Sequence, residues 1–99
     1  MKLLEDADIF ITNTRQKALV KSGLDYESVH KVAPHIVYAH LLGYGDKGPA
    51  KDNPAFDYTA YFARGGVAAS LMEKGTSPCN SAAAFGDHYA GMNLVSGIM

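Results

Sequence analysis

Short apolar runs alternate with stretches of helical periodicity along the chain. Residues 7–12 (ADIFIT) and 35–42 (HIVYAHLL) are rich in β-branched and aromatic side chains, which predicts two strands, the first suited to burial on both faces. Between them, residues 15–22 show helical spacing that places Ala18 and Leu19 on one face. This alternation is typical of an α/β fold and favours a parallel sheet.

Residue types that favour helix ends place the boundaries of the predicted helices. Thr14 is expected to cap the first of them, and Gly23 is expected to end it in a left-handed conformation. Asp25 is expected to cap a second helix over residues 26–33. Asp87 is expected to cap a last helix that continues to the C-terminus.

The segments between these elements predict two loops and a bent helix. Residues 43–54 are rich in Gly, Pro, Asp and Asn, so we expect a long loop there, which is a natural place for function. Residues 56–64 predict a helix that is interrupted or bent at 65–66 and continues over 67–72. Residues 73–85 predict a second loop.

The two ends of the chain suggest a piece of a larger fold. Residues 1–6 resemble the last turn of a helix, and no stop signal follows Ile98. Two strands also leave ladder groups without neighbours. We therefore expect an α/β segment, part of a Rossmann-like open parallel sheet with flanking helices, that is incomplete on its own or belongs to an obligate oligomer.

Charge and composition limit the partners of the protein. Nine Lys and Arg against ten Asp and Glu give a net charge of -1, which attracts neither nucleic acid nor an anionic membrane. The chain has no apolar run of the roughly 20 residues that a bilayer span needs. Cys79 is the single cysteine, so no disulfide forms within the chain. A cytoplasmic protein is expected.

The glycine-rich run at residues 43–48, GYGDKG, matches the dinucleotide-binding fingerprint GxGxxG and follows a predicted strand. The fingerprint must open a helix whose amides hold a pyrophosphate, but Pro49 and Pro54 follow closely. We interpret the run as a flexible loop beside a site.

Asp87 follows Gly86 at a predicted helix start, where amides and the helix dipole keep a carboxylate ionised. One interpretation is an ordinary helix cap. The other is a nucleophilic carboxylate that accepts an acyl group and becomes a mixed anhydride.

Histidine and cysteine chemistry is not expected. His88 adjoins Asp87, but neighbours in a helix point about 100° apart and cannot form a dyad. The histidines lack the spacing of a helical metal site, and His35 and His40 would point to opposite faces of a strand. No metal site is predicted, and Cys79 in a polar loop is not expected to be a nucleophile.

The residues Asn13, Thr14 and Arg15 follow the first strand, at the edge where open parallel sheets bind ligands. Lys17 or Lys21, one or two turns further on, can meet a phosphate. The alternative is a plain helix cap with surface charges.

Three segments together, ADIFITNTRQKALVKSGLDYESVHKVAPHIVYAHLLGYGDKGP, FDYTAYFARGG and FGDHYAGM, resemble the family III CoA-transferases. The resemblance spans nearly all 99 residues, and it rests on the order and spacing of the motifs. It implies that residues 1–99 are one interior segment of the large domain of a longer enzyme.

The resemblance also implies roles for residues. Asp87 would be the nucleophile that attacks an acyl-CoA thioester and then carries CoA as its own thioester. CoA would be a substrate and not a tightly bound cofactor. The other substrates would be an acyl-CoA and a free carboxylic acid, with 2-hydroxy and aryl acids as the expected class. The resemblance also implies an interlocked homodimer. The expected CoA contacts are Asn13, Thr14, Arg15 and Lys21, with Ala55, Phe56, Asp57 and Tyr58 lining the pantetheine and the thioester.

Two alternatives remain open at this point. The family also contains α-methylacyl-CoA racemases, whose pattern needs a His where Phe56 stands, unless His88 replaces it. The second alternative is that the chain is a non-catalytic α/β piece whose sheet edge and apolar helices serve assembly with another chain.

Overall fold

The computed structural model describes residues 2–79 and 81–99, in which strands and helices alternate as expected for an α/β segment. Met1, from the predicted N-terminal turn, and Asn80, from the predicted loop over 73–85, lie outside the described residues. The elements are α1 (Lys2–Glu5), β1 (Ile9–Thr12), α2 (Gln16–Ser22), α3 (Tyr26–Val32), β2 (Val37–His40), a π-helix (Asp57–Arg64), α4 (Val67–Ser70) and α5 (Phe85–Ile98).

The two strands pair in parallel, which confirms the predicted sheet direction. The register joins Ile9 to Val37 and continues one residue at a time to the pair Thr12 and His40. Burial of β1 on both faces is not found within this chain, because Ile9 and Ile11 are 44% and 59% exposed. Among the described residues this face of the sheet is therefore only partly covered, since Ala39 on the same face is buried, in agreement with an incomplete α/β segment.

The other face of the sheet carries the core. Leu4, Val29, Ala33 and Ile36 form a buried cluster of side chains from α1, α3 and the segment before β2. Phe10 of β1 and Tyr38 of β2 pack against it.

The Tyr38 ring joins the sheet to the helix layer. Its centroid lies 5.1 Å from that of Phe10, and its hydroxyl donates a hydrogen bond of 2.7 Å to the Leu24 carbonyl. A buried phenol normally finds such a partner, so the ring gains apolar contact without leaving its hydroxyl unpaired. Burial raises the pKa of Tyr38, with a contribution from the charge of Asp25.

Two predicted helix ends are confirmed. Gly23 ends α2 at φ 68°, where a residue with a Cβ would be strained. Asp25 caps α3, since its Oδ1 accepts the Ser28 amide at 3.3 Å and its Oδ2 accepts the Ser28 hydroxyl at 2.7 Å. These local signals are strong because each involves only a few neighbouring residues.

Two predicted caps are wrong. Arg15, and not Thr14, occupies the N-cap position of α2 and makes no side-chain cap. The Thr14 amide instead donates to Thr12 Oγ1 at 3.1 Å, which ties Thr14 to the end of the strand. Asp87 does not cap α5, because the helix already begins at Phe85 after Ala84 at the N-cap position. Asp87 lies in the first turn instead.

The helix predicted over residues 56–64 is present at Asp57–Arg64, but it is a π-helix. The Gly65 amide donates to the Ala60 carbonyl at 2.8 Å, five residues back. Gly66, at φ 77°, separates this helix from the short α4, so the helix is interrupted where predicted, but α4 ends at Ser70 and does not reach residue 72. π-helical turns are rare in proteins, and those that occur are often found at functional sites.

The Asp25 cap gives a testable pH dependence. Hydrogen bonding from the Ser28 side chain lowers the pKa of Asp25 below its ordinary value of 3.8. A carboxyl whose folded pKa is lowered stabilises the fold above its unfolded pKa, and this contribution is lost as the pH falls through the folded pKa. We expect Asp25→Ala to accelerate amide exchange across Tyr26–Val32 relative to the unchanged protein at the same pH. The difference should shrink below pH 3.8, and an equal difference at every pH would contradict this role.

Candidate active site

A groove of about 650 Å³ opens at the carboxyl edge of the two strands, a volume within the usual range for small-molecule sites. The strands are parallel, so the residues that follow them emerge at the same edge. The Leu41 amide donates to the Thr12 carbonyl at 2.9 Å and extends the pairing to that edge. The groove is lined by segments after both strands, by the π-helix and by the first turns of α5.

The groove brings together most of the residues predicted from the sequence. Two of them lie elsewhere: Lys21 belongs to the last turn of α2, and the Tyr58 ring packs 5.6 Å from that of Phe62. Their proposed contacts to CoA stay predictions. The predicted residues that do line the groove are Asn13, Thr14, Arg15, Ala55, Phe56, Asp57 and Asp87.

The turn between β1 and α2 is held by His40, for which no role was predicted. His40, at the end of β2, donates from Nε2 to the Thr14 carbonyl at 2.7 Å. This bond fixes the turn that carries Asn13 and Arg15. Lys17, a predicted phosphate contact, instead pairs with Asp52 at 3.2 Å and does not line the groove.

The loop after β2 contributes groove residues that the sequence reasoning did not name. Tyr44, Lys51 and Asn53 line the groove, and no helix starts in this loop before Asp57. The interpretation of the glycine-rich run as a loop beside the groove therefore agrees with the geometry. All three belong to the loop over residues 43–54, which was predicted as a natural place for function, and that prediction was the signal for them.

Asp87 lies in the first turn of α5, where that helix borders the groove. Its side chain is exposed in the first turn of α5, where the helix dipole favours negative charge. Across residues 2–79 and 81–99, no cation forms a salt bridge with it. Asp87 lies where the groove meets a shallow apolar surface along α5, formed by Gly91, Met92, Val95 and their neighbours.

The residue before Asp87 is held by a long-range hydrogen bond. The Gly86 amide donates to Asp57 Oδ1 at 2.7 Å, and both residues are buried. A Cβ at position 86 would overlap Asp57 Oδ1 and the Tyr61 ring, so only glycine fits this approach. The second oxygen, Asp57 Oδ2, is also buried and has no hydrogen-bond partner.

His88 lies beside Asp87 on the shallow apolar surface along α5 and does not belong to the groove. Its Nδ1 donates to the Ala84 carbonyl at 2.7 Å, and its side chain does not line the groove. His35 precedes β2 and contacts the Ala7 carbonyl, so the expected strand geometry for it is wrong. In the described part of the chain, no cluster of three or more His, Cys, Asp or Glu side chains could hold a metal ion. None of the described helices combines the length and apolar character of a membrane span.

Comparisons with solved structures identify the fold. A CaiB/BaiF family protein from Brucella suis superposes with a TM-score of 0.81 at 29% identity, over 98% of this chain and 26% of that protein. A protein from Mycobacterium tuberculosis superposes with a TM-score of 0.84 at 24% identity, over 98% of this chain and 27% of that protein.

Comparisons of sequence give the same family. The (R)-2-hydroxy-4-methylpentanoate CoA-transferase of Clostridioides difficile is 60% identical over 97% of this chain. The cinnamoyl-CoA:phenyllactate CoA-transferase of Clostridium sporogenes is 57% identical over 98%. The chain spans 24% of the length of each of these two relatives. A sequence model described as CoA-transferase family III matches residues 1–99. The chain therefore belongs to CoA-transferase family III.

Proposed function

We propose that this chain is a segment of an enzyme that moves CoA between carboxylic acids, with Asp87 as the nucleophile. The observation that carries the proposal is the position of Asp87, exposed at the start of α5 in the same groove as Asn13 and Arg15. A nucleophilic carboxylate must be reachable by the thioester carbonyl, and Asp87 is exposed where the groove meets the start of α5.

The proposed reaction has two covalent stages. An Asp87 oxygen attacks the carbonyl carbon of the acyl-CoA thioester, the C–S bond breaks, and CoA leaves as a thiolate. The thiolate attacks the Asp87 carbonyl of the mixed anhydride, which releases the donor carboxylate and leaves CoA as a thioester on Asp87. The acceptor carboxylate repeats the sequence in reverse, so that its acyl-CoA leaves and the Asp87 carboxylate is restored.

Coenzyme A is proposed as a substrate that lies along the groove. Asn13, Thr14 and Arg15 offer amide, hydroxyl and guanidinium groups at the sheet edge, and Lys51 adds a second cation. The proposed pantetheine and thioester contacts come from Ala55 and the residues that follow it. Lys21 stays a proposed contact on α2, outside the groove.

The proposed acids are 2-hydroxy or aryl acids. Two relatives at 57% and 60% identity are named for such substrates. The apolar surface that continues from Asp87 along α5, with Met92 and Val95, fits an aliphatic or aryl acyl group better than a charged one.

A racemase has less support than a transferase. Phe56, which cannot take a proton, lines the groove at the position where the racemase pattern has a His. His88, the other candidate base, lies beside Asp87 on the surface along α5 and outside the groove, and its Nδ1 donates to a backbone carbonyl. A racemase would exchange the α-proton of its acyl-CoA with deuterium oxide, and the transferase mechanism requires no such exchange.

The quaternary structure and location of the enzyme are also proposals. The homodimer, the cytoplasmic location, and the absence of nucleic acid and membrane partners stay predictions from the sequence. Ile9, Ile11 and Val37 are exposed on the open face of the sheet. In the proposed transferase, other parts of a longer enzyme cover that face. In the non-catalytic alternative, an unrelated chain covers it.

Trapping the covalent intermediate tests the nucleophile. We expect the full-length protein incubated with cinnamoyl-CoA to become modified on Asp87, and hydroxylamine to convert that residue to a hydroxamate. Peptide mass spectrometry locates the modification, and protein incubated with free CoA and hydroxylamine is the control. Modification at another carboxylate, or none with a panel of aryl and 2-hydroxyacyl-CoA donors that turn over, would exclude Asp87.

A further inference from the structure

The start of α5 has no cap from its own N-cap residue. Ala84 occupies that position and has no side-chain acceptor. It also adopts φ 59°, the left-handed region that residues with a Cβ disfavour. A conformation of this kind persists only where surrounding contacts impose it. The helix start that carries Asp87 must therefore be held from elsewhere.

Asp57 supplies the missing acceptor from 29 positions earlier in the chain. Its Oδ1 accepts the amide of Gly86, the second residue of α5, at 2.7 Å. This is one of the amides that an N-cap side chain normally serves. Tyr61 lies one turn further along the π-helix, and its ring stacks on that of Tyr89 of α5 with 6.1 Å between the ring centroids. This stacking adds a second contact between the two helices.

The burial of both Asp57 carboxylate oxygens favours a positioning role for this residue over a direct contact to CoA. Its Oδ1 is engaged by a buried amide, and its Oδ2 is buried without a partner. Neither oxygen is therefore presented to a ligand in the groove, although the residue forms part of the groove wall. The carboxylate contacts the residue adjacent to Asp87, and this is the interaction through which it can influence the reaction.

We propose that Asp57 is a positioning residue that fixes the direction of Asp87 through the Gly86 amide. This inference rests on the proposed nucleophilic role of Asp87. It differs from the expected contact between Asp57 and CoA, because the side chain acts on the enzyme and not on the substrate. A misplaced carboxylate attacks its thioester more slowly, while the groove still holds CoA.

Three variants of the full-length protein test the proposal. Asp57→Asn keeps an oxygen that accepts the Gly86 amide, whereas Asp57→Ala and Asp57→Leu do not. We expect Asp57→Asn to keep the rate of Asp87 acylation within about threefold, because its carboxamide replaces the accepted hydrogen bond. We expect Asp57→Ala and Asp57→Leu to lower that rate by about 10- to 100-fold with little change in KM for the acyl-CoA. Glu73→Gln, an exposed charge in a distant loop, is the control and should change neither quantity.

Amide hydrogen exchange at Gly86 gives a readout that is independent of activity. Protection of this amide should survive in Asp57→Asn and fall in the other two variants. If neither Asp57→Ala nor Asp57→Leu folds, Asp57→Asn decides alone. Retained acylation of Asp87 and retained protection of the Gly86 amide in Asp57→Asn then support the proposal. A fall of tenfold or more in the acylation rate of this variant overturns it.

The outcomes separate this proposal from the proposed function. An Asp57→Leu protein that folds and acylates Asp87 at the unchanged rate overturns the positioning role and leaves the nucleophile in place. A raised KM with an unchanged acylation rate also overturns it, because it would return Asp57 to a contact with CoA. Absence of any Asp87 modification in the unchanged protein overturns both.

Discussion

Replacing Asp87 by Ala in the full-length protein is expected to abolish CoA transfer. The substitution removes the carboxylate whose oxygen forms the mixed anhydride and whose carbonyl carbon forms the CoA thioester, so neither intermediate of the proposed route can form. We expect kcat to fall by at least about 1,000-fold and the acyl-enzyme to disappear from mass spectra. Binding of CoA, measured by calorimetry, should change little because its proposed contacts lie at the sheet edge.

The matched control for this change is Glu73→Ala, which removes an exposed carboxylate outside the groove. It should keep full activity. Asp87→Glu retains a carboxylate but moves it by one methylene, and we expect an intermediate loss of about 100-fold with labelling still at position 87. Appreciable turnover by Asp87→Ala would remove Asp87 from the mechanism.

The direction of the sheet and several helix ends could be predicted because their signals are local. Two β-branched runs separated by helical spacing indicate a parallel pair, and the structure has one. Gly23 and Asp25 end and begin their helices through bonds that span five residues or fewer. Such signals depend little on the rest of the fold.

The start of α5 could not be predicted because its cause is distant in sequence. Asp87 looked like a cap on local grounds, but Asp57 from the π-helix supplies an acceptor to Gly86. That bond lets the helix begin at Phe85 after a left-handed Ala84, which no local preference indicates. The π-helical form of Asp57–Arg64 could not be predicted either, because the spacing of its apolar residues resembles that of an ordinary α-helix.

The candidate site was predictable in outline for a related reason. Parallel strands bring the residues after each strand to one edge, so Asn13 and its neighbours could be placed beside the loop that follows β2. The position of Asp87 at this edge followed from resemblance and not from spacing. The different roles proposed for Asp57 and Asp87 could not be predicted from the sequence. Only the structure shows that one Asp57 oxygen accepts a backbone amide and that the other is buried in the protein interior.

Gly86→Ala is expected to damage both stability and activity. A Cβ at this position overlaps Asp57 Oδ1 and the Tyr61 ring, so either the hydrogen bond to Asp57 breaks or the two helices separate. Overpacking of this kind costs about 1–3 kcal/mol. We expect the free energy of unfolding, from urea titration of the full-length protein, to fall by that amount. We also expect acylation of Asp87 to slow by about 100-fold as its carboxylate is displaced.

Gly97→Ala, in the same helix, separates this effect from the general consequence of replacing a glycine. Apart from its chain neighbours and the adjacent backbone of its own helix, no atom of the described residues lies within 4 Å of a Cβ at position 97, so that variant should be unchanged or more stable by about 0.5–1 kcal/mol. If Gly86→Ala matched Gly97→Ala in stability and in acylation rate, the close approach of Asp57 to the start of α5 would not constrain Asp87. The opposite result would connect a buried carboxylate on one helix to the reactivity of an exposed carboxylate on another, through a single amide that only glycine can bring close enough.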